Sequence, residues 1–343
     1  MKKFNEIFID KTKYGEKIQT SEYEKQGKHI IVDQGQAEIA GYTNREEGLF
    51  NEVPVIIFGD HTRLIKYIDE PFFLGADGVK VLRSKEKNAN YKYLYYALKS
   101  AKIPNTGYNR HFKWLKDVEI NYPDSVKQEK IVDILDRVSD VIEKRKAELS
   151  YLDTLIKARF VEMFGDPIIN SKGLETKELN EVLVLKAGDF TAASDISVEP
   201  TEINIYPCYG GNGIRGYVAE YNQEGEYSLV GRQGALSGNV QYATGKFKNT
   251  EHALLVKPII RMNSIWLNQL LLNLDLKRYQ TGAAQPGLSV KNLQDIQIIM
   301  VPIDEQRQFA AFVNEIDKSK SAVKKALDET QLLFDSLTQE YFD

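Results

Sequence analysis

Gly210-Gly211-Asn212-Gly213-Ile214-Arg215-Gly216-Tyr217 stands 175 positions after Gly35-Gln36-Ala37-Glu38-Ile39-Ala40-Gly41-Tyr42, and this echo decides how the chain is built. Three more echoes follow in the same order. Lys3-Phe4-Asn5-Glu6-Ile7 returns as Glu178-Leu179-Asn180-Glu181-Val182 at the same offset. Ile56-Ile57-Phe58-Gly59-Asp60 returns as Ser228-Leu229-Val230-Gly231-Arg232 at 172, and Leu115-Lys116-Asp117-Val118-Glu119-Ile120 as Leu293-Gln294-Asp295-Ile296-Gln297-Ile298 at 178. One such match is within chance. Four in order mark a duplicated unit of about 170–180 residues, too long and too few for a solenoid.

Each unit has two parts. The first is rich in Gly, Tyr and Asn, with short β-branched and aromatic runs at Val55–Phe58, Gly78–Leu82, Tyr227–Gly231 and Ala253–Val256 that predict strands joined by turns. Helical stretches near Tyr91–Lys99 and Ile265–Leu274 interrupt them. The second part is a long helix. No Pro or Gly occurs from Val126 to Met163, and an apolar seam runs Ile131, Leu135, Val138, Ile142, Leu149, Leu152, Ile156, Met163. The C-terminal copy reads Phe309, Val313, Ile316, Val323, Leu327, Phe334, Leu337, Tyr341. Spacings of four and three are those of a coiled-coil seam. Arg145 and Arg159 break the first seam, Lys320 and Thr330 the second. Each helix packing only on its own domain is the alternative, but sustained heptads in both copies favour pairing with each other.

Gly165-Asp166-Pro167 is a helix stop. The expected order is a first domain over residues 1–125, a central helix over 126–164, a linker over 165–174, a second domain over 175–303 and a C-terminal helix over 304–343 that pairs with the central one. The fold class is α+β: two pseudo-symmetric α/β domains separated by two long antiparallel coiled-coil helices. At ~1.5 Å per residue, a shared seam of about 32 residues spans roughly 50 Å.

The 343 residues, 42% hydrophobic and 27% charged, suffice for about two folded domains. No apolar run approaches the roughly 18–20 residues that cross a bilayer. The opening Met1-Lys2-Lys3-Phe4-Asn5-Glu6 turns polar before a signal-peptide core forms, and the single Cys208 fits a reducing compartment, so a cytoplasmic location is expected. A net charge of −4 argues against indiscriminate polyanion binding but leaves room for a localised basic cleft.

Catalytic chemistry is not legible. Gly211-Asn212-Gly213-Ile214-Arg215-Gly216 fits the dinucleotide fingerprint, yet the aromatic and β-branched Tyr217–Asn222 follows where a helix is required, so a turn between strands is expected. There is no phosphate loop, and no two of His29, His61, His111 and His252 share metal-ligand spacing. Pro123-Asp124 with Glu129-Lys130 resembles a nuclease carboxylate motif only faintly, and no Asn-Pro-Pro or Asp-Pro-Pro occurs for methyl transfer to a base. No catalytic residue, metal site or cofactor is expected on this chain.

What remains is polar side chains on glycine-rich loops. Arg and Lys contact phosphates or guanine edges, and Asn and Gln make bidentate contacts to adenine. The candidates are Gln36, His61, Thr62, Arg63, Lys66, Arg110 and Lys113 in the first unit, with Gln34, Tyr108, Asn109 and His111 beside them. In the second they are Arg215, Arg232, Gln233, Ser237, Asn239, Lys246 and Lys248, with Asn249. Plain surface turns carry the same residue types, and the Tyr/Asn/Gly-rich loops also suit a stand-alone surface or carbohydrate-binding module with no DNA role. That alternative predicts secretion, against which the absent signal core argues. A stand-alone enzyme is the other rival.

These residues resemble the DNA specificity subunit of type I restriction–modification systems over nearly the whole chain. In the second unit the resemblance rests on Tyr209–Tyr217, Leu229–Val240 and Asn249-Thr250-Glu251-His252-Ala253. In the first it rests on Phe58–Arg63, Lys66–Asp69 and Gly75–Leu82. Each unit closes on a similar tail, Gln128-Glu129-Lys130-Ile131-Val132 or Glu305-Gln306-Arg307-Gln308-Phe309. The resemblance implies two target-recognition domains, each reading one half of a split double-stranded DNA site, with the helices as a ruler for the spacer. Roughly 50 Å at ~3.4 Å per base pair puts the half-site centres about 14–15 base pairs apart.

It further implies two modification subunits carrying S-adenosylmethionine for adenine methylation, and restriction subunits carrying ATP, Mg and nuclease motifs. Under it, Arg232, Gln233 and Asn239 contact bases, with Lys246 and Lys248 on phosphates; His61, Thr62 and Arg63 are their first-unit counterparts, with Lys66 on phosphate. Gly231-Arg232-Gln233-Gly234 becomes Gly59-Asp60-His61-Thr62, so the two halves are expected to read different sequences. Asp60 is expected to orient Arg63 or to accept from a cytosine amino group, the former favoured.

Overall fold

The computed structural model describes residues 1–75, 77–282 and 286–342; Ala76 in the family-like Gly75–Leu82 stretch and Asp343 at the end of the expected C-terminal helix lie outside them. The chain divides into two compact units, one of Met1–Lys146 with Lys325–Asp343 and one of Ala147–Lys324. Both are α+β.

In the first unit, antiparallel strands Phe8–Asp10, Val79–Ser84, Val55–Gly59 and Ile65–Ile68 form a sheet in that spatial order. A three-stranded sheet of Gly41–Thr43, His29–Val32 and Phe72–Leu74 lies against one face. Alternation along Val55–Gly59 explains its unbroken apolar sequence. Val55 and Ile57 pack with Val32, Leu74 and Val81, while Ile56 and Phe58 pack on the opposite side with Tyr93, Leu94, Ile131 and Leu135. A strand covered on both faces has no polar side to show.

The second unit has one six-stranded sheet, ordered Leu183–Ala187, Ala253–Pro258, Gln223–Gly231, Val240–Asn249, Tyr206–Gly210, Gly213–Val218. All its pairs are antiparallel except Val240–Asn249 with Tyr206–Gly210. The G-x-G-x-x-G sequence is the turn and return strand of a hairpin, with Gly213 at φ 99. Leu254 and Val256 face Trp266, Leu270 and Phe164, and Leu255 and Leu229 face Phe247 and Tyr209.

The duplication extends to individual hydrogen bonds. A four-residue helix opens each unit, Phe4–Ile7 and Leu179–Val182, with Glu6 accepting from the Lys3 amide (2.6 Å) and Glu181 from the Glu178 amide (2.9 Å). The Phe4 amide donates to the Val118 carbonyl, and the Leu179 amide to that of Ile296. Asn90 caps helix Tyr91–Ser100 through the Tyr93 amide, and Asn263 caps Ser264–Asn273 through the Trp266 amide, each at 3.0 Å. Such caps satisfy donors that a helix start otherwise leaves open. Buried Gln128 donates to the Pro123 carbonyl, and buried Gln306 to the Val301 carbonyl while accepting from the Asn263 amide.

The central helix is Ser125–Phe164 and the terminal helix Ile303–Phe342, 40 residues each. In the first unit Ile131, Leu135 and Ile142 share a core with Phe334, Phe342 and the domain. In the second, Phe160 and Phe164 meet the Phe309 ring at 5.5 and 5.6 Å, and Asp153 pairs with Lys320 at 2.6 Å. Rising numbers on one helix thus meet falling numbers on the other, so the pair is antiparallel. Packing on the domain and pairing between helices both occur, and they use the same apolar faces. The seam breaks are accommodated. Arg145 donates to the Ala326 carbonyl and Thr330 hydroxyl, joining two breaks, and Arg159 lies over the Phe312 ring. The central helix ends at Gly165, φ 79, where Lys172 Nζ caps the Met163 carbonyl at 3.1 Å.

Gln306→Ala should lower the unfolding free energy by about 1–3 kcal/mol, because it leaves the Asn263 amide and Val301 carbonyl without their partner; a urea titration reads it. Burial raises the Cys208 thiol above its ordinary range, and the side chain is fully covered. Iodoacetamide at pH 8 should therefore label it far more slowly in the folded protein than in urea.

Candidate nucleic-acid interfaces

In the first unit the candidate loop joins Val55–Gly59 to Ile65–Ile68. Arg63 adopts a left-handed conformation (φ 62) and its amide donates to the Gly59 carbonyl at 2.7 Å, which closes the turn. Asp60 does not orient Arg63. It is buried, its Oδ1 accepts from the Phe112 amide (2.8 Å), and its carbonyl accepts from the His111 amide (2.7 Å). The carboxylate is an anchor between the loop and helix Phe112–Leu115, out of reach of a base. Arg63 Nη1 instead donates to the Ile103 carbonyl at 3.3 Å.

Gln34 braces the same loop, accepting from the His61 amide and donating to the Asp77 carbonyl. The His61 ring stacks on Tyr108, with centroids 4.7 Å apart and planes 9° off parallel. Arg110 is exposed; the Lys17 ammonium and, farther off, Arg110 hold the Asp77 carboxyl below its usual range. Thr62 is exposed, its hydroxyl accepting from the Leu64 amide. Gln36 is exposed on the loop after His29–Val32, and Lys113 Nζ lies 4.1 Å from the Trp114 ring centroid.

Lys66 is placed differently from the phosphate contact expected of it. It is 6% exposed, and its ammonium donates to the Asp33 and Ala37 carbonyls at 2.8 and 2.6 Å. Burial pulls its pKa down, and the Asp33 and Glu38 carboxylates pull it partly back. Its work is to pin the 33–37 loop.

In the second unit, Arg232, Gln233, Ser237 and Asn239 share the connection from Gln223–Gly231 to Val240–Asn249. Glycine is required where this loop crosses the hairpin: a Cβ on Gly231 would lie 2.5 Å from both the Gly211 and Leu236 carbonyl oxygens. Arg232 Nη1 donates to the Glu251 carbonyl at 3.1 Å. Gln233 Oε1 is 3.2 Å from His252 Nδ1, and Asn239 donates to Asn212 at 3.0 Å. Ser237 is fully buried and donates to the Gly234 carbonyl, so it shapes the loop without being able to reach a ligand.

Arg215 is exposed and lies across Gly210. Lys246 and Lys248 stand apart, toward the other end of Val240–Asn249. Lys246 Nζ is 4.8 Å from the Tyr221 ring centroid, and Lys248 pairs with Asp189 at 3.7 Å. Asn222 and then Lys248 hold that Asp189 carboxyl low.

Sequence reasoning missed His252, Glu251 and Asn212 as members of this cluster. Their presence in the stretches that carry the family resemblance, Tyr209–Tyr217 and Asn249–Ala253, was the available signal. Among the described residues, His61 Nδ1, Arg232 Nε and Glu251 Oε2 are buried without a hydrogen-bond partner. Such atoms cost free energy unless something pairs with them.

The two loops share one backbone plan. The amides of Asp60 and Arg232 donate to the Gly78 and His252 carbonyls at 2.7 and 3.0 Å; their carbonyls accept from the His111 and Leu288 amides at 2.7 and 2.8 Å. Two equivalent scaffolds thus present two different sets of side chains.

A family model described as the type I restriction modification DNA specificity domain matches residues 1–151 and 171–330. The chain belongs to this family. It is 37% identical over 200 residues to the type I restriction enzyme EcoprrI specificity subunit of Escherichia coli, a match covering 57% of this chain and 50% of that protein. The chain thus spans about half the length of the first curated relatives it matches. In fold it is similar to the type I restriction–modification S subunit from M. genitalium: TM-score 0.62, 20% identity, covering 100% of this chain and 95% of that one. A chain from a structural study of type I complex assembly and conformational transition covers 91% of this chain and is itself 90% covered, at TM-score 0.52 and 16% identity.

Asp60→Ala leaves the Phe112 amide without an acceptor and should cost about 1–3 kcal/mol. Asp60→Asn keeps an acceptor and should stay close to wild type. Urea melts of both variants check this, and equal stability of Asp60→Ala and wild type would remove the anchor.

Proposed function

We propose that this chain is the non-catalytic DNA-recognition subunit of a type I restriction–modification assembly. Each domain reads one half of a bipartite double-stranded site. The observation that carries this reading is the pair of loops held by matching backbone hydrogen bonds but carrying Asp60-His61-Thr62 in one domain and Arg232-Gln233-Gly234 in the other. A duplicated scaffold with divergent tips is what reading two different half-sites demands. Arg232, Gln233 and Asn239 face bases in the second domain, and His61, Thr62 and Arg110 are nearest the DNA in the first. Lys246 and Lys248 contact phosphates, while Lys66, Asp60 and Ser237 position the loops.

Two modification subunits supply S-adenosylmethionine and methyl transfer, and restriction subunits supply ATP, Mg and cleavage. With a net charge of −4, intrinsic affinity is modest and partner subunits add phosphate contacts. No helix among the described residues is long and apolar enough to cross a membrane.

Co-expression with a modification subunit, followed by genome-wide mapping of methylated adenines, should yield a split motif. A stable complex without methylation would overturn the reading. Arg232→Ala should relax one half-site by about 1–3 kcal/mol and leave the other intact, whereas Lys246→Ala should weaken all sequences alike and reduce the salt slope by about one.

A further inference from the structure

We infer that the first domain reads its half-site through the stacked His61–Tyr108 pair, by apolar contact with thymine 5-methyl groups; the inference rests on the DNA reading proposed above. The polar groups that do this work in the second domain are not available in the first. At the position of Arg232, Asp60 spends its carboxylate on the Phe112 amide. Lys66 is buried on two carbonyls, and Arg63 donates to the Ile103 carbonyl much as Arg232 donates to that of Glu251, so the difference between the domains lies at Asp60 and His61. At the position of Gln233, which engages His252, stands His61, whose ring lies flat against Tyr108.

Tyr108 is 88% exposed. A lone exposed aromatic needs no explanation. This one is braced by a second ring and sits on a segment tied internally. Gly107 adopts φ 75 and donates to Asn105 at 3.1 Å; the Asn109 side chain donates to the Thr106 carbonyl at 2.5 Å; and the buried His111 ring lies within 3.5 Å of the Thr106 amide. A ring already held in place loses little freedom on binding. Exposed Arg110, two residues on, supplies positive charge for the adjoining phosphates. In the major groove, the feature a flat apolar surface distinguishes is the thymine methyl.

The experiment uses the full chain in complex with its modification subunit and duplexes bearing the motif found by methylation mapping. Thymines are replaced by deoxyuridine in one half at a time. The wild type should lose roughly threefold to fivefold in affinity per contacted methyl in one half only, the scale of one buried methyl group. Tyr108→Ala should bind the thymine duplex more weakly and no longer distinguish it from deoxyuridine, while Tyr108→Phe should behave as wild type. Indifference of the wild type to deoxyuridine in both halves, or an unchanged thymine preference in Tyr108→Ala, would overturn the inference and leave the DNA reading standing. Failure of the wild-type complex to prefer its motif over unrelated duplexes would overturn both.

Discussion

Everything in this molecule depends on one packing constraint: neither domain closes its hydrophobic core without the long helices. In one unit Ile131, Leu135, Ile142, Phe334 and Phe342 are part of the same buried cluster as the sheet residues Ile56, Phe58 and Leu82. In the other, Phe160, Phe164 and Phe309 are continuous with Trp266, Leu270 and Val256. At about 1.5–3 kcal/mol for each large apolar side chain taken from water, removing either helix face would cost an amount comparable to a domain's whole margin of stability. The helices are therefore integral to both domains. The antiparallel pairing follows, because the first core takes the start of the central helix and the end of the terminal one.

That constraint frees the loops. With the caps, helix faces and loop backbone bonds duplicated, the outward-facing side chains on the connections after Val55–Gly59 and Gln223–Gly231 can differ. Loops on a rigid scaffold are where recognition residues concentrate. Here the second domain places Arg232, Gln233, His252 and Asn239 in one polar cluster, whereas the first carries a stacked His61–Tyr108 pair and a buried Asp60. The chain belongs to the family described as the type I restriction modification DNA specificity domain, and under the proposed function that divergence serves two different half-sites.

Reading side-chain roles from the sequence failed in one consistent way. Asp60, Lys66 and Ser237 are residue types suited to ligand contacts but are buried on backbone groups: Asp60 on the Phe112 amide, Lys66 on carbonyls of the 33–37 loop, and Ser237 on its own loop. A polar residue in a glycine-rich turn can face outward or hold the turn together. Nothing in its identity distinguishes the two, since both need the same donors and acceptors. Conversely, His252 and Glu251 join the Arg232 cluster across 19–20 positions of chain, a proximity set by strand pairing rather than by spacing.

By itself, the sequence determined the duplication, the strand and helix stretches quoted from it, the turn character of Gly211–Gly216 and the two long helices with their seams. These rest on periodicity, on glycine and proline, and on offsets, all of which are local or additive along the chain. Only the tertiary structure decided which strands neighbour which, that the seam breaks Arg145 and Thr330 meet, and which loop residues are spent on the fold. The physical reason is burial. Whether a polar side chain reaches solvent, and so a ligand, depends on what the rest of the chain packs around it.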